Sequence, residues 1–388
     1  MGSGAKKLRP ARRLRAALPL ILAVALGGHE LPREVVRHAG PGESLSARVE
    51  WAQREARARG YKAGFWTAYS VERLTEENSH IGSFDFGSRS SELTLGEIIA
   101  GKRLDKPASA PRSVQTTARD VLEDLERTPK PAKKVRRDVA LLFRFGDTGR
   151  ARPERVALSD MDLAFDLKGR PLVWLGEATD EESLGFVRKL FAAAGDEEIK
   201  EDLIAAAGIH DAPALVIPFL ETVLKSRESD EVRKDAAFWI GQQGGPSALK
   251  ILGGTARTDP SIEVRKGAVF GLSQVELEAA VDSLIELART AGHADVRREA
   301  VFWLGQRASK KAESALVGFV DKDADPKVQE QALFALSELP DNQGVEPLIK
   351  IAKTHPNPHI RKKAIFWLGE CEDDPRALEA LIAIVKGS

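Results

Sequence analysis

The feature that most restricts the fold of this chain is an internal repeat of 32 to 33 residues in its second half. A β-branched residue followed by a basic or polar pair recurs at Ile199, Val232, Val264, Val296, Val328 and Ile360. After each of the last five of these anchors, apolar residues follow at spacings of three and four, which is the pattern of one face of an α-helix. We therefore predict an anchor helix in every repeat.

A second helix is predicted after each anchor helix, for example over Glu276–Thr290, Val345–Lys353 and Ala377–Val385. Short breaks rich in Asp, Asn, Gly and Pro separate the helices, as in the Asp-Ala-Asp-Pro stretch at 323–326. One helix pair cannot bury both of its apolar faces, but stacked pairs can. The sequence thus predicts an α-solenoid of about six helix-pair repeats over residues 181–388, with a degenerate first repeat.

The anchor segments resemble HEAT repeats, in the short variety first named from phycobilisome lyases. The starts Asp295-Val296-Arg297 and Glu231-Val232-Arg233 are similar to that motif, with the acid nearer to the Val than in the family pattern. The resemblance covers about half of the chain and is specific for the fold, but a fold of this kind serves many functions. The whole arrangement resembles secreted bacterial proteins that carry HEAT-like repeats after a small N-terminal domain.

Tryptophan recurs with twice the repeat period. Trp239, Trp303 and Trp367 lie 64 residues apart, and the repeats between them have Gly271 and Ala335 at the same position. A large ring opposite a small residue is typical of close packing between layers. The alternative is a stripe of aromatic residues for binding, and we favour packing because aromatic residues at helical spacing usually belong to the core.

Basic pairs also follow the anchors, one pair in each of four repeats: Arg233-Lys234, Arg265-Lys266, Arg297-Arg298 and Arg361-Lys362. They would suit a phosphate-binding ladder, but acidic residues are interleaved with them and Val328-Gln329-Glu330 interrupts the series. The resemblance to HEAT repeats implies instead that the Arg after the anchor bonds an Asp or a carbonyl oxygen of the next layer. We favour this structural interpretation.

Residues 28–180 differ from the repeats and predict a small α+β domain with an antiparallel sheet over Ala140–Leu175. A helix over Ser44–Arg59 would bury Leu45, Val49, Ala52 and Ala56. Further strands are predicted at Ala63–Val71 and Ile81–Phe86, and further helices at Leu93–Ala100 and Val114–Arg127. Pro171 favours a strand over a helix for the Trp174-Leu175-Gly176-Glu177 stretch. Glu181–Ala193 would then cap the first repeat.

The first 27 residues predict a bacterial signal peptide. Six basic residues and no acid precede or border an apolar run at Ala16–Leu26, and small residues follow. The 58 basic residues of the chain less these six leave 52 against 58 acidic ones. A mildly acidic mature protein is not typical of nucleic-acid binding.

The sequence predicts no catalytic, cofactor-binding or metal-binding residue. Gly96–Arg103 nearly fits a phosphate-binding loop, but Arg103 replaces the required Ser or Thr, so we regard it as a chance match. His355 and His359 have the spacing of a helical zinc pair, yet the neighbouring prolines predict a loop. Acidic neighbours would raise the pKa of Cys371 and make it a poor nucleophile.

These observations predict an exported, periplasmic or secreted, non-enzymatic scaffold that binds a protein or peptide through its repeats. We expect no cofactor, no nucleic-acid partner and no membrane span after signal cleavage. The alternative is a bilin-lyase-like enzyme or chaperone, because the resembling repeats also occur in proteins that attach bilins to cysteine.

Overall fold

The computed structural model describes residues 34–38, 42–77, 93–102, 134–146, 152–307, 309–371 and 374–386. The predicted signal peptide (1–27), the strand at 81–86 and the helix at 114–127 lie outside these residues. The described chain divides into two compact units, one within residues 26–283 and the other within residues 284–388. The domain limits predicted from the sequence stay a prediction.

Five strands form one sheet in the order β1-β5-β2-β3-β4. β2 and β3 pair antiparallel along twelve residues each, and β4 pairs antiparallel with β3. β5 runs parallel to β1 on one side and to β2 on the other. The strands are β1 (Val35–Arg37), β2 (Phe65–Glu76), β3 (Lys134–Phe145), β4 (Arg155–Asp160) and β5 (Leu172–Glu177).

The sheet is therefore mixed, whereas the sequence predicted an antiparallel one over Ala140–Leu175. β4 and β5 run in the same direction, and parallel strands need a crossover rather than a hairpin. Residues 161–171 provide that crossover, which includes a turn at Lys168 and Gly169 with positive φ at both residues. Ala164, within the region predicted to form the sheet, makes only an isolated bridge to Thr94. Strand direction was missed because hydrophobic alternation is the same in both directions.

Helices cover both faces of the sheet. On one face α2 (Leu95–Ile99) packs its apolar side chains against Trp66, Ala68 and their neighbours. On the other face lie α1 (Leu45–Ala58) and α3 (Asp180–Ala193), and Phe186 of α3 contacts the rings of Tyr69 and Phe143. Leu45, Val49, Ala52 and Ala56 of α1 are buried, as predicted.

A buried polar chain joins the sheet to the first repeat. The Tyr69 hydroxyl and His210 Nε2 each lie 2.8 Å from Ser183 Oγ, and His210 Nδ1 lies 3.0 Å from the Ala207 carbonyl oxygen. Because a carbonyl only accepts, Nδ1 carries the proton, and Nε2 then accepts from Ser183. Ser183 in turn accepts from Tyr69, so each of these buried groups is satisfied.

Six helix pairs follow, and they confirm the predicted fold class of helix-pair repeats. The anchor helices are α4 (Glu197–Gly208), α6 (Asp230–Gln243), α8 (Ile262–Gln274), α10 (Ala294–Leu304), α12 (Pro326–Ser337) and α14 (Pro358–Glu370). The second helices are α5 (Pro213–Leu224), α7 (Gly245–Thr258), α9 (Glu278–Thr290), α11 (Lys310–Lys322), α13 (Val345–Thr354) and α15 (Pro375–Lys386). A short 3₁₀ turn at Pro340–Asn342 precedes α13.

Every anchor helix begins at a side-chain cap three residues before its anchor. The capping side chain accepts a hydrogen bond from a backbone N–H of the first turn, which otherwise has no partner within the helix. The caps are Asp196, Ser229, Ser261, His293, Asp325 and Asn357. The anchors themselves are buried, so the 32-residue period fixes both the start and the buried face of each helix.

Within each unit the anchor helices pack directly on one another. In residues 26–283 the contacts run from α4 to α6 and from α6 to α8, and in residues 284–388 from α10 to α12 and from α12 to α14. Among the described residues, none of the helices combines the length and the apolar character that crossing a membrane requires.

Candidate interaction surface

A phenylalanine recurs on the solvent-facing side of the anchor helices, six residues after each of the last five anchors. Four of these side chains are partly exposed, and Phe366 is 56% exposed. We call these side chains the phenylalanine row, which comprises Phe238 and Phe270 within residues 26–283 and Phe302, Phe334 and Phe366 within residues 284–388. A helical position that repeats in this way without becoming buried is not explained by core packing alone.

The phenylalanine rings stack from one repeat to the next. In residues 26–283 the rings of Phe238 and Phe270 lie 5.5 Å apart at an interplanar angle of 16°. In residues 284–388 the rings of Phe302 and Phe334 lie 6.1 Å apart at 8°. Such contacts hold each ring in place, so the row presents ordered apolar surface to solvent.

Polar side chains flank the row on the same helical face. Asp235 and Gln242 lie three residues before and four residues after Phe238, which is the spacing of one helix face. Gln242 Nε2 donates to Gln274 Oε1 over 3.2 Å. The surface over α6 and α8 thus offers a carboxylate, stacked aromatic rings and side-chain amides in succession.

The tryptophans, in contrast, pack between layers. A Cβ built on Gly208 of α4 would lie 2.1 Å from the Trp239 indole of α6, so the ring fills the space that glycine leaves. At the next junction a Cβ on Gly241 would lie 2.2 Å from the Gly271 carbonyl oxygen. The helix backbones therefore approach closely where Trp is replaced by Gly, and the packing interpretation of the Trp–Gly alternation is confirmed for residues 26–283.

Phe238 was overlooked in the sequence because it directly precedes the more conspicuous Trp239. The sequence does mark this position, because a phenylalanine occupies it in all of the last five repeats while the tryptophan position alternates. Phe238 and Trp239 are both partly exposed, and the two positions differ in their contacts, since the Trp239 ring fills the space over Gly208.

The arginines after the anchors form hydrogen bonds and ion pairs within the protein. Arg233 Nε donates to the Leu224 carbonyl over 2.9 Å, and its Nη2 pairs with Asp259. Arg297 lies within 4 Å of Asp323 and Asp325, at 3.9 and 3.8 Å, and Arg361 donates to the His355 carbonyl over 2.7 Å. These guanidinium groups are engaged inside the protein, which supports the structural interpretation over a phosphate-binding ladder.

Carboxylates gather on the first two anchor helices. Burial raises the pKa of Asp202 to about 6, with a further contribution from Glu198. Burial also raises the pKa of Asp235 to about 6, and the nearby Glu201 and Glu231 add to the shift. Like charges close together, partly removed from water, disfavour ionisation of one another.

The other residues singled out in the sequence do not assemble into a site. Gly96–Ile99 lies in α2, a helix capped by Thr94, rather than in a loop. His355 is buried at the end of α13. The sequence predicted a loop at His359, but this residue lies in the first turn of α14. The prediction was wrong because Pro358 occupies the N-terminal position where a helix tolerates proline.

His359 Nε2 lies 2.9 Å from Glu330 Oε1, and the buried Cys371 donates from Sγ to the Trp367 carbonyl over 3.4 Å. Across the described ranges there is no group of three or more His, Cys, Asp or Glu side chains that could hold a metal ion.

Comparison with known proteins places the repeats in a family. Residues 217–304, 281–343 and 316–388 match HEAT repeats. No curated protein matches the chain. Among solved structures, human deoxyhypusine hydroxylase in complex with glycerol is similar at 22% identity and a TM-score of 0.24, over 52% of this chain and 77% of that chain.

Two further solved structures are similar to part of this chain. YibA from E. coli has 19% identity and a TM-score of 0.34, covering 53% of this chain and 76% of that one. The CpcE–CpcF complex of phycocyanin lyase from Nostoc sp. PCC7120 has 22% identity and a TM-score of 0.30, covering 40% and 98%. The helix pairs of this chain are HEAT-like repeats, and they follow a small region with a mixed sheet.

Proposed function

We propose that this protein is an exported, non-enzymatic scaffold that binds an extended segment of a protein partner on anchor helices within one unit, such as α6 and α8. The phenylalanine row is the observation that supports this proposal most strongly. Aromatic side chains that stay partly exposed at a recurring position leave apolar surface in water, which is typical of protein-binding surfaces. HEAT repeats suggest protein partners in general, and the row specifies where such a partner would lie.

The flanking groups fit an extended polypeptide. The amides of Gln242 and Gln274 supply donors and acceptors that match peptide N–H and C=O groups. In an extended chain, successive side chains point in opposite directions, so alternate ones can reach the phenylalanine rings while the backbone meets the amides.

Two features support a binding role rather than catalysis or nucleic-acid recognition. The hydrogen-bonded Ser183 and His210 have the groups of a nucleophile and base, but both side chains are fully buried and cannot meet a substrate. The arginines after the anchors are engaged in internal bonds. Partly exposed carboxylates such as Asp235 lie near the phenylalanine row instead, and they would repel phosphate.

Export rests on the basic and apolar pattern of residues 1–27. Expression of the full chain with a C-terminal tag, followed by fractionation and N-terminal sequencing, tests it. A shortened chain in the periplasm or medium supports export, and a full-length chain in the cytoplasm contradicts it. The bilin-related alternative stays a prediction, tested by a change in visible absorbance when the protein is mixed with a bilin.

Site-specific photocrosslinking tests the binding surface. A photoreactive phenylalanine derivative is placed at Phe238, and in a control at Lys250, an exposed position on the second helix α7. We expect the Phe238 derivative to capture a defined protein in the native host and the Lys250 derivative not to do so. Identical captures from both positions, or none from Phe238 under conditions where the protein is folded and exported, would contradict the proposal.

A further inference from the structure

We propose that the segment bound over α4, α6 and α8 carries lysine or arginine side chains next to apolar ones. This inference rests on the proposed function and specifies the chemistry of the partner at the same surface. It follows from three carboxylates, Glu201, Asp202 and Asp235, which we call the acidic edge.

The acidic edge lies beside the phenylalanine row. Glu201 and Asp202 follow the anchor of α4 by two and three residues, and Asp235 follows the anchor of α6 by three. All three side chains are partly exposed. Because Asp235 shares a helix face with Phe238, a ligand on the aromatic rings would also meet the carboxylates.

The charges of the acidic edge are poorly compensated within the protein. Asp202 accepts a hydrogen bond from the Val156 backbone and faces Arg155. Within the part of the chain that the structure describes, Glu201 and Asp235 form neither a hydrogen bond nor an ion pair. The acidic groups that face Glu201 are Asp196, Glu197, Glu198 and Glu231.

The neighbouring lysines are already engaged with other acids. Lys234 Nζ donates to Glu231 over 2.7 Å, and Lys200 Nζ donates to Glu228 over 2.6 Å. The negative potential at the acidic edge therefore remains after the internal pairs have formed. A cation from a partner would relieve the repulsion among the carboxylates, whereas a second anion would increase it.

The corresponding acids in residues 284–388 are neutralised or hydrogen-bonded. Glu299 accepts a hydrogen bond from the Trp303 indole N–H over 2.8 Å. Glu330 lies 3.0 Å from Lys363 Nζ and 2.9 Å from His359 Nε2. Among the described residues Glu201 and Asp235 thus differ from these acids in having no hydrogen bond or ion pair, and we assign the basic side chains of the partner to the first two repeats.

Peptide binding tests the inference. Three fluorescein-labelled peptides of equal length have leucine alternating with lysine, glutamine or glutamate, and fluorescence anisotropy measures their affinity for the full chain. We expect the lysine peptide to bind about tenfold more tightly than the glutamine peptide at low salt, and the difference to shrink as NaCl is added. The glutamate peptide should bind most weakly.

A matched pair of double variants locates the effect. Glu201→Gln with Asp235→Asn removes two charges from the acidic edge, and Glu276→Gln with Glu278→Gln removes two exposed charges at the start of α9. The first variant should lose about tenfold in affinity for the lysine peptide and none for the glutamine peptide. The second should change neither by more than about twofold.

The outcomes separate this inference from the proposed function. Equal affinity for the three peptides, or a lysine preference that survives in the acidic-edge variant, overturns the inference and leaves peptide binding in place. If none of the peptides binds, or if Phe238→Ala leaves their binding unchanged, the proposed surface itself is wrong.

Discussion

At the scale of single residues, His210 shows how burial sets a charge state. Its ring is fully buried, with Nδ1 donating to Ala207 and Nε2 accepting from Ser183. Burial, with a smaller contribution from Arg73, lowers the pKa of His210 to about 4. Protonation at Nε2 would also place a second donor against the Ser183 hydroxyl, so the whole hydrogen-bonded chain would have to reverse.

We expect His210 to make stability fall as the pH is lowered from about 6.5 to about 4. In this range the unfolded chain binds a proton on His210 and the folded chain does not. The contribution of His210 to the free energy of unfolding is therefore complete above a pH of about 6.5, and it declines by at most about 3 kcal/mol toward pH 4. Urea denaturation at several pH values measures this decline in the free energy of unfolding.

Asp202 and Asp235 act in the opposite direction, because their raised pKa values make the folded chain bind protons more readily than the unfolded chain between about pH 4 and 6. The comparison between wild type and His210→Gln isolates the histidine. An equal decline of stability in both proteins would show that His210 does not contribute.

A tryptophan between layers should contribute more to stability than an exposed aromatic residue. Trp239→Ala removes the indole that fills the space over Gly208, and we expect a loss of about 2–4 kcal/mol and of several degrees in melting temperature. Phe366→Ala is the control, since that ring is 56% exposed. A similar decrease in both variants, measured by thermal unfolding, would contradict the packing role.

At the scale of helices, the structure alternates between two kinds of junction. In a spaced junction a tryptophan separates the anchor helices, as between α4 and α6, and in a tight junction small residues let the backbones meet. A Cβ on Gly305 would lie 2.7 Å from the Ala335 carbonyl oxygen, so α10 and α12 also form a tight junction.

Glycine substitutions distinguish a tight junction from open surface. Gly241→Ala places a methyl group against the Gly271 carbonyl and should destabilise the protein by about 1–3 kcal/mol. Gly254→Ala in α7 meets nothing within 4 Å and should be neutral or stabilising by up to about 1 kcal/mol. Chemical denaturation of both variants checks the prediction, and equal effects would show that the backbones at Gly241 can separate without cost.

The helices were predictable from the sequence because three signals coincide in every repeat: a cap, an anchor and an apolar stripe. The strands at Phe65–Glu76 and Lys134–Phe145 were predictable from their composition. The parallel pairing of β5 was not, since nothing in the alternation of Leu172–Glu177 shows the direction of its neighbours. The phenylalanine row and the acidic edge depend on exposure and on the neighbours of each charge, and both emerge only when the repeats are stacked.

At the scale of the whole molecule, HEAT-like repeats extend through the second half of the chain, yet successive repeats are not equivalent. Each unit contains its own phenylalanine stack and its own tight junction. The uncompensated carboxylates lie within residues 26–283, where the mixed sheet packs on the first repeat. The function that we propose therefore uses repeats that share a fold but differ in surface chemistry.

The alternation of junctions also limits how such a chain can change in length. A tight junction needs glycine nine residues after one anchor, as at Gly241 and Gly305, and glycine or alanine seven residues after the next. In the third repeat the first of these positions is Ser273, so a duplicated third repeat would press a second Gly271 backbone against a serine side chain. A duplication that adds or removes two repeats together would keep the alternation of spaced and tight junctions, whereas a change by a single repeat would break it.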